Sequence, residues 1–308
     1  MAHLTMEEIF YMEDSKITPP NRKVVPQTLL DLFGSLDYVN KFGALVTDLQ
    51  EWQFENFAEQ CFTDAEVIDQ ANKSDPQRKQ IENIRLEDGD LILDFAAGKG
   101  RLGAVLLAKN PDIRYHAYEY NEELHKQIRN NTENNTTIFK DLEAITRPAG
   151  GYKYIILCNA LHEIPVEYWV ENINKIIDLG SSDGSFIFME DLYLPKGESP
   201  NKVGYLCLNQ EAFAELLGIA EEHITTIEPE KKDHKGRLLC AVVPFAQLKP
   251  ISSDHVRKAI ESLKDYTLNK INELKKGNEN QPIDIGRKSS FLHHQYVNCE
   301  LALKKTAT

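Results

Sequence analysis

The chain of 308 residues has no long apolar run. Nothing in it approaches the roughly 18 residues of a membrane span, and Met1 to Asp14 lacks the apolar core of a signal peptide. No membrane partner is therefore expected, and a cytoplasmic location is. Cysteines are few and scattered: Cys61, Cys158, Cys207, Cys240 and Cys299, with no CxxC pair. That spacing excludes a zinc ribbon and a disulfide frame, and it reads as reduced core residues with no metal site. Basic residues are in deficit, 35 Lys and Arg against 48 Asp and Glu, for a net charge of −13. A general nucleic-acid or acidic-membrane binder needs clustered Lys and Arg, so nucleic acid is not an expected partner. P-loop, HExxH and GxSxG sequences are missing, as is any internal repeat. What remains is 42% hydrophobic and 27% charged, a balance that supports a folded core.

What is present is organised around Leu91 to Leu107, LILDFAAGKGRLGAVLL. An apolar run of strand length ends on the acid Asp94. The small-residue loop Ala96-Ala97-Gly98-Lys99-Gly100 follows, then Leu102, Val105 and Leu106 at helical spacing. Glycines let backbone approach a ligand closely, and the first turn of a helix offers unpaired N–H groups. Strand, glycine loop and helix in this order make a nucleotide-type cradle. Glu119 closes the next strand-like run, about 20 residues beyond the loop, where an acid in a dinucleotide-type fold bonds ribose hydroxyls. Either acid alone also reads as a turn or solvated strand-end residue. The two acids together with the loop are more specific.

Residues 1–80 read as a helical N-terminal lid or substrate region. Its aromatics, Phe42, Trp52, Phe54, Phe57 and Phe62, either pack its core or line a lid over a ligand. Trp52 or Gln53 could also reach over that ligand. From about residue 85, strand-like runs alternate with helical patterns. The strands are Leu91–Phe95, Ile113–Tyr120, Thr137–Leu142, Tyr154–Asn159, Ser185–Tyr193, His223–Ile227 and Arg237–Phe245. Alternation of this kind predicts an α/β fold, a doubly wound and mostly parallel sheet. The last two strands are joined by Glu228 to Gly236, too short for a crossover helix, so the seventh strand should run antiparallel. Residues 81–247 form the expected binding domain, and 248–308 a C-terminal helical pair. Val256, Ile260, Leu263, Ile271 and Leu274 mark its first helix, and Arg287 to Lys304 its second.

Loop, acids and sheet resemble the class I S-adenosylmethionine (SAM) dependent methyltransferases. Ala96 stands where that family's first loop glycine stands, and Gly98 and Gly100 match the others. The resemblance covers roughly residues 85–246 and implies SAM as cofactor. Glu119, with Tyr120 beside it, would hold the ribose. Asp141 would face the adenine, with Leu142 against the ring. Asp94, Ala96, Gly98 and Gly100 would lie near the methionine end. Asn159 to His162 is the fourth-strand motif, beside the reactive methyl. His162-Glu163 followed by Glu190 is similar to the small-molecule O-methyltransferases. The resemblance there implies that a histidine removes a hydroxyl proton and an acid orients it. The chemistry is consistent with that, since a hydroxyl is a poor nucleophile until a base of near-neutral pKa takes its proton. A carboxylate fixes the imidazole tautomer, and Glu163 competes with Glu190 for that place. His162 also reads as a structural residue below the cofactor.

The leading expectation is a SAM-dependent methyltransferase acting on a small molecule at a hydroxyl. One alternative is an RNA or protein methyltransferase, against which the acidic balance weighs for RNA. Another is a SAM-binding, non-catalytic module of a larger assembly, in which the terminal helices make protein contacts. Oligomeric state is left open. His293-His294 do not face one direction on a helix and so do not suggest a metal pair. Lys99, Arg101, Arg287 and Lys288 are either anion contacts or solvated side chains.

Overall fold

The computed structural model describes residues 76–133, 136–191, 206–226, 238–275 and 283–306. The expectations for residues 1–75, Trp52 and Gln53 included, lie outside the described residues. So do those for the 227–237 joint and for the side chains of Arg287, Lys288, His293 and His294. The chain divides into two compact units, one of Glu66–Leu192 and Leu208–Ala259, the other of Met1–Ala65, Tyr193–Cys207 and Ile260–Thr308.

The first unit is α/β with a mostly parallel mixed sheet. Its strands are β1 (Leu91–Phe95), β2 (Arg114–Tyr118), β3 (Thr137–Phe139), β4 (Tyr152–Cys158), β5 (Gly180–Asp191), a two-residue β6 (Thr225–Thr226) and β7 (Leu238–Pro244). They lie in the order β3-β2-β1-β4-β5-β7-β6. β1 pairs parallel with β2 and β4, β2 with β3, and β4 with β5. β7 runs antiparallel to β5, from Ser185↔Pro244 to Asp191↔Leu238. With the two-residue β6 set aside, six strands carry the sheet, and the last of them, β7, is reversed. The expected strand His223–Ile227 is represented among the described residues only by β6, paired with Val242 and Ala241. All five residues of LILDF are buried, as suits a parallel strand covered on both faces. β5 starts earlier than the expected Ser185. Gly180 pairs with Tyr152 and the register then shifts before Tyr154 meets Ser185. Ser181, Ser182, Asp183 and Gly184 carry no apolar alternation, so the sequence hides that extension.

Helices cover the sheet. α1 (Pro76–Asn83) precedes β1, α2 (Arg101–Lys109) follows the glycine loop, and α3 (Glu122–Asn131) follows β2. α4 is Trp169–Leu179 and α5 Gln210–Leu217. Asn121 and Asn209 cap α3 and α5, accepting from the main-chain N–H groups of Glu123 and Ala212. One core cluster joins Ile92, Ile156, Ile187 and Met189 of the sheet to Ile81, Leu102, Val105 and Leu106 of α1 and α2. Phe188 stacks on Phe213 with ring centroids 4.2 Å apart.

α6 (Ser253–Lys275) begins in the first unit and continues into the second, which also holds α7 (Ile283–Thr306). The second helix starts before the expected Arg287. In that unit the fully buried Gln295 accepts from the Cys207 N–H (3.1 Å) and donates to Thr267 Oγ1 (2.9 Å). Three of the four described cysteines are buried, and all four carry thiols. No helix among the described residues is long and apolar enough to cross a membrane.

Candidate functional site

The strand order reverses direction between β1 and β4, and crevices at the carboxyl ends of strands around such a point are where open α/β sheets bind ligands. The residues singled out from the sequence fall there. Asp94 is in β1, the glycine loop follows it, Glu119 and Tyr120 follow β2, Asp141 and Leu142 follow β3, and Asn159 follows β4. His162 lies in the 3₁₀ turn Leu161–Glu163, and Glu190 in β5.

The loop is built on left-handed residues: Ala96 (φ 62°), Gly98 (φ 54°) and Gly100 (φ 73°). Ala96 bears a Cβ in a region that costs an L-residue about 1–2 kcal/mol. The backbone therefore asks for glycine at the one place where the sequence departs from the resembled pattern. The Ala97 N–H donates to Tyr118 O (2.9 Å) and the Gly100 N–H to Ala97 O (2.8 Å). A Cβ at Gly100 would lie 2.9 Å from the Ile128 Cα, so α3 leaves room there only for hydrogen. At Gly98 a Cβ would meet none of the described residues within 4 Å, which leaves space for a ligand against the loop.

Glu119 is buried, yet its carboxylate is well supplied. Oε2 accepts from the Gly98 N–H (2.8 Å) and Oε1 from the Asn121 N–H (2.9 Å). Two main-chain donors occupy part of an acceptor set of about four lone pairs, so capacity remains for ligand hydroxyls. Asp94 is 2% exposed and accepts from the Tyr115 hydroxyl at 2.5 Å. Burial pushes its pKa up to about 7, against the Tyr115 hydrogen bond and with the help of the nearby Glu119 charge. Burial and Asp94 together hold the Tyr115 hydroxyl well above its ordinary range, so it is the donor of the pair.

At the outer end of the crevice Tyr120 is 75% exposed. Asp141 is exposed, Leu142 half-buried, and the Asp141 carbonyl accepts from the Ala144 N–H (3.1 Å). Tyr118 packs on Phe95 with centroids 4.8 Å apart. Its hydroxyl is pushed up by burial and then by the carboxylates of Glu119, Glu143, Asp141 and Glu171.

At the other end Asn159 is left-handed (φ 47°), and its N–H donates to Met189 O (2.7 Å). The chain then turns so that His162 Nδ1 lies 2.7 Å from Glu190 Oε1. The His162 main-chain N–H points at Glu190 Oε2 (3.4 Å). Both side chains are buried, His162 at 2% and Glu190 at 0% exposed. Glu163 is mostly exposed and its Oε1 is 3.9 Å from His162 Nε2. The structure thus brings His162 to Glu190 and leaves Glu163 at the rim.

Sequence reasoning missed Tyr115. A hydroxyl at an inward strand position of RYHAY, facing the buried Asp94 of the neighbouring strand, was the available signal. The left-handed turn at Asn159 had none, although asparagine tolerates that region better than most residues.

No family model and no curated protein matches the chain. Solved structures do. Phosphoethanolamine N-methyltransferase 1 of Haemonchus contortus, in complex with phosphoethanolamine and S-adenosylhomocysteine, matches at 10% identity with a TM-score of 0.52. That match covers 77% of this chain, which spans 57% of the length of the Haemonchus enzyme. An O-methyltransferase family protein from Burkholderia thailandensis matches at 12% identity over 68% of this chain and 73% of its own (TM-score 0.43). A SAM-dependent methyltransferase from Aquifex aeolicus matches at 15% over 58% and 95% (TM-score 0.42). At such identities the likeness speaks for the fold, and the first match carries it. With its strand order, its reversed last strand and its loop between β1 and α2, the chain has the class I SAM-dependent methyltransferase fold.

Proposed function

We propose that the chain binds SAM at the carboxyl ends of β1 to β4 and transfers its methyl group to a small-molecule acceptor. The observation that carries this reading is the bond from the Gly98 N–H to the buried Glu119 carboxylate. It locks the glycine loop to the strand-end acid and leaves that acid with acceptor capacity facing an open loop. Glu119, beside Tyr120, takes the ribose hydroxyls. Asp141 and Leu142 take the adenine, and Asp94, Ala96, Gly98, Gly100 and Asn159 surround the rest. SAM supplies a methyl group on a positively charged sulfur that is its own leaving group. In this reading residues 81–247 form the cofactor domain, and the helical regions 1–80 and 248–308 serve the acceptor. Calorimetry with SAM and with S-adenosylhomocysteine tests the core claim. Both are expected to bind in the micromolar range, and Glu119→Ala to abolish that binding. A wild-type protein that binds neither sinks the proposal.

Proton removal from a hydroxyl acceptor falls to His162. With Nδ1–H donating to Glu190 Oε1, the Nε2 atom carries the ring's lone pair and can accept a proton. Glu163 stands beside that atom and can stabilise the cation that results. A second reading is favoured by the burial of the pair: His162 and Glu190 clamp the ends of β4 and β5 and touch no substrate. His162→Ala separates the two. Loss of turnover with SAM affinity kept supports the base, and loss of SAM affinity supports the clamp.

A further inference from the structure

The acid at the end of β2 is held in place from outside the sheet. Strand pairing stops at that point: the Ala97 N–H donates to Tyr118 O (2.9 Å), and the Glu119 N–H to Phe139 O (3.0 Å). The Glu119 carbonyl lies beyond those bonds. His125, one turn into α3, reaches back to it, with Nε2 2.6 Å from the oxygen. A carbonyl only accepts, so Nε2 carries the proton and donates. Every polar group of Glu119 is then engaged. Its N–H and C=O are pinned by Phe139 and His125, and its carboxylate oxygens by the Gly98 and Asn121 N–H groups.

α3 grips the other half of the same assembly. Asn131 Nδ2, about 9 Å further along the helix axis, donates to Lys99 O (2.8 Å) in the glycine loop. Between the two, Ile128 stands against Gly100. His125, Ile128 and Asn131 follow one another at three-residue steps, so they share one broad side of α3. That side touches both the strand-end acid and the loop, the two parts that the Gly98–Glu119 bond joins. It thus sets the gap between them. A peptide plane that turns carries its side chain with it. Freed from His125, the peptide after Glu119 could rotate and draw the carboxylate off the Gly98 N–H. A binding group fixed in its productive pose avoids the ordering cost that a mobile side chain adds on binding.

We propose that His125 is a positioning residue for the cofactor: its Nε2–H, through the Glu119 carbonyl, aims the Glu119 carboxylate at the ribose hydroxyls. This rests on the proposed cofactor reading, in which Glu119 takes those hydroxyls. The role belongs to the donor at Nε2, not to the ring's Nδ1 atom.

The test uses the full chain and two variants that differ in where they place an amide nitrogen. In His125→Gln the side-chain N–H can reach the place of Nε2. In His125→Asn it falls at the place of Nδ1, short of the carbonyl. Both side chains are polar and suit a half-buried helix position. Calorimetry with SAM and S-adenosylhomocysteine is expected to show His125→Asn about five- to tenfold weaker than wild type, and His125→Gln within about twofold of it. The Gly98 amide proton, which the carboxylate draws downfield in NMR spectra of the protein alone, is expected to move upfield in His125→Asn and to stay in His125→Gln. A histidine that only supports the fold would change the melting temperature and leave both that proton and the affinity unmoved. Wild-type affinity in His125→Asn, equal losses in the two variants, or an unmoved Gly98 proton in His125→Asn overturns the assignment. One measurement needs no variant to fold: nitrogen-15 spectra of the wild type are expected to show the proton of the neutral His125 ring on Nε2. A proton on Nδ1 instead overturns the assignment as well. A wild-type protein that binds neither probe overturns the cofactor reading on which the inference rests.

Discussion

Asp94 is an acid whose folded environment prefers it protonated, with a pKa of about 7 in place of 3.8. The sign of the consequence follows from proton counting. Between those two values the folded chain holds a proton that the unfolded chain has released. Stability from this group is therefore full below the ordinary carboxylate range, falls as pH rises toward about 7, and stays low above it. The slope is at most about 1.4 kcal/mol per pH unit. Asp94→Asn keeps an acceptor for the Tyr115 hydroxyl and removes the ionisation. Its urea midpoint is expected to lose less than the wild type's as pH rises from 4 to 7. Parallel profiles for the two proteins would rule out Asp94 as the titrating group. At this scale much of the site was legible. Asp94 and Glu119 were readable as a pair of acids flanking the glycine loop, and His162 and Glu190 through the resemblance; the structure ties Glu119 to the loop and His162 to Glu190. Tyr115 was not, because a buried tyrosine in a strand is ordinary until its hydroxyl partner on the next strand is known.

The contact between α2 and β2 is where local preference and packing disagree. Gly103 sits inside a helix, where alanine would be favoured by about 1 kcal/mol. A Cβ there would lie 2.4 Å from Cζ of the Tyr115 ring and 2.7 Å from its hydroxyl oxygen. Tyr115 is 2% exposed and tied to Asp94, so the ring cannot swing away without breaking that bond. Overpacking of this kind costs about 1–3 kcal/mol, which outweighs the propensity gain. Gly103→Ala is expected to lower stability by about 1–2 kcal/mol in denaturant unfolding. The cost should shrink or reverse in a Tyr115→Leu background, where the ring is gone. Equal costs in both backgrounds would show that Tyr115 is not what keeps position 103 small. Element boundaries followed the same logic. The ends of α5 are legible because Asn209 and Gly218 bracket its apolar pattern. The early start of β5 has no such mark, because Gly180 pairs with Tyr152 across a register shift and the residues before Ser185 carry no apolar face.

For the whole molecule, strand order decides which parts open first. The alternation of strands and helices, the short joint before β7 and the loop after β1 were enough to give the α/β sheet and its reversed last strand. Of the expected edge strand His223–Ile227, Thr225 and Thr226 pair among the described residues, and Ile227 lies outside them. Composition cannot reveal how much of a segment finds a partner. That difference in pairing sets an expected order of amide exchange. β4 and β5 are each flanked on both sides and carry fully buried runs, Ile155 to Leu157 and Phe186 to Phe188. Their amides can reach water only by an opening close to global unfolding. Among the described residues β3 pairs on one side, its residues are exposed or half-buried, and β6 is a two-residue edge. Those amides can be released by fraying that leaves the sheet intact. Native-state hydrogen exchange is thus expected to protect Ile155–Leu157 and Phe186–Phe188 most, with Thr137–Phe139 and Thr225–Thr226 exchanging by local opening orders of magnitude sooner. If β3 exchanged as slowly as β4, the sheet would have a further neighbour at that edge, and β3 would not be its border.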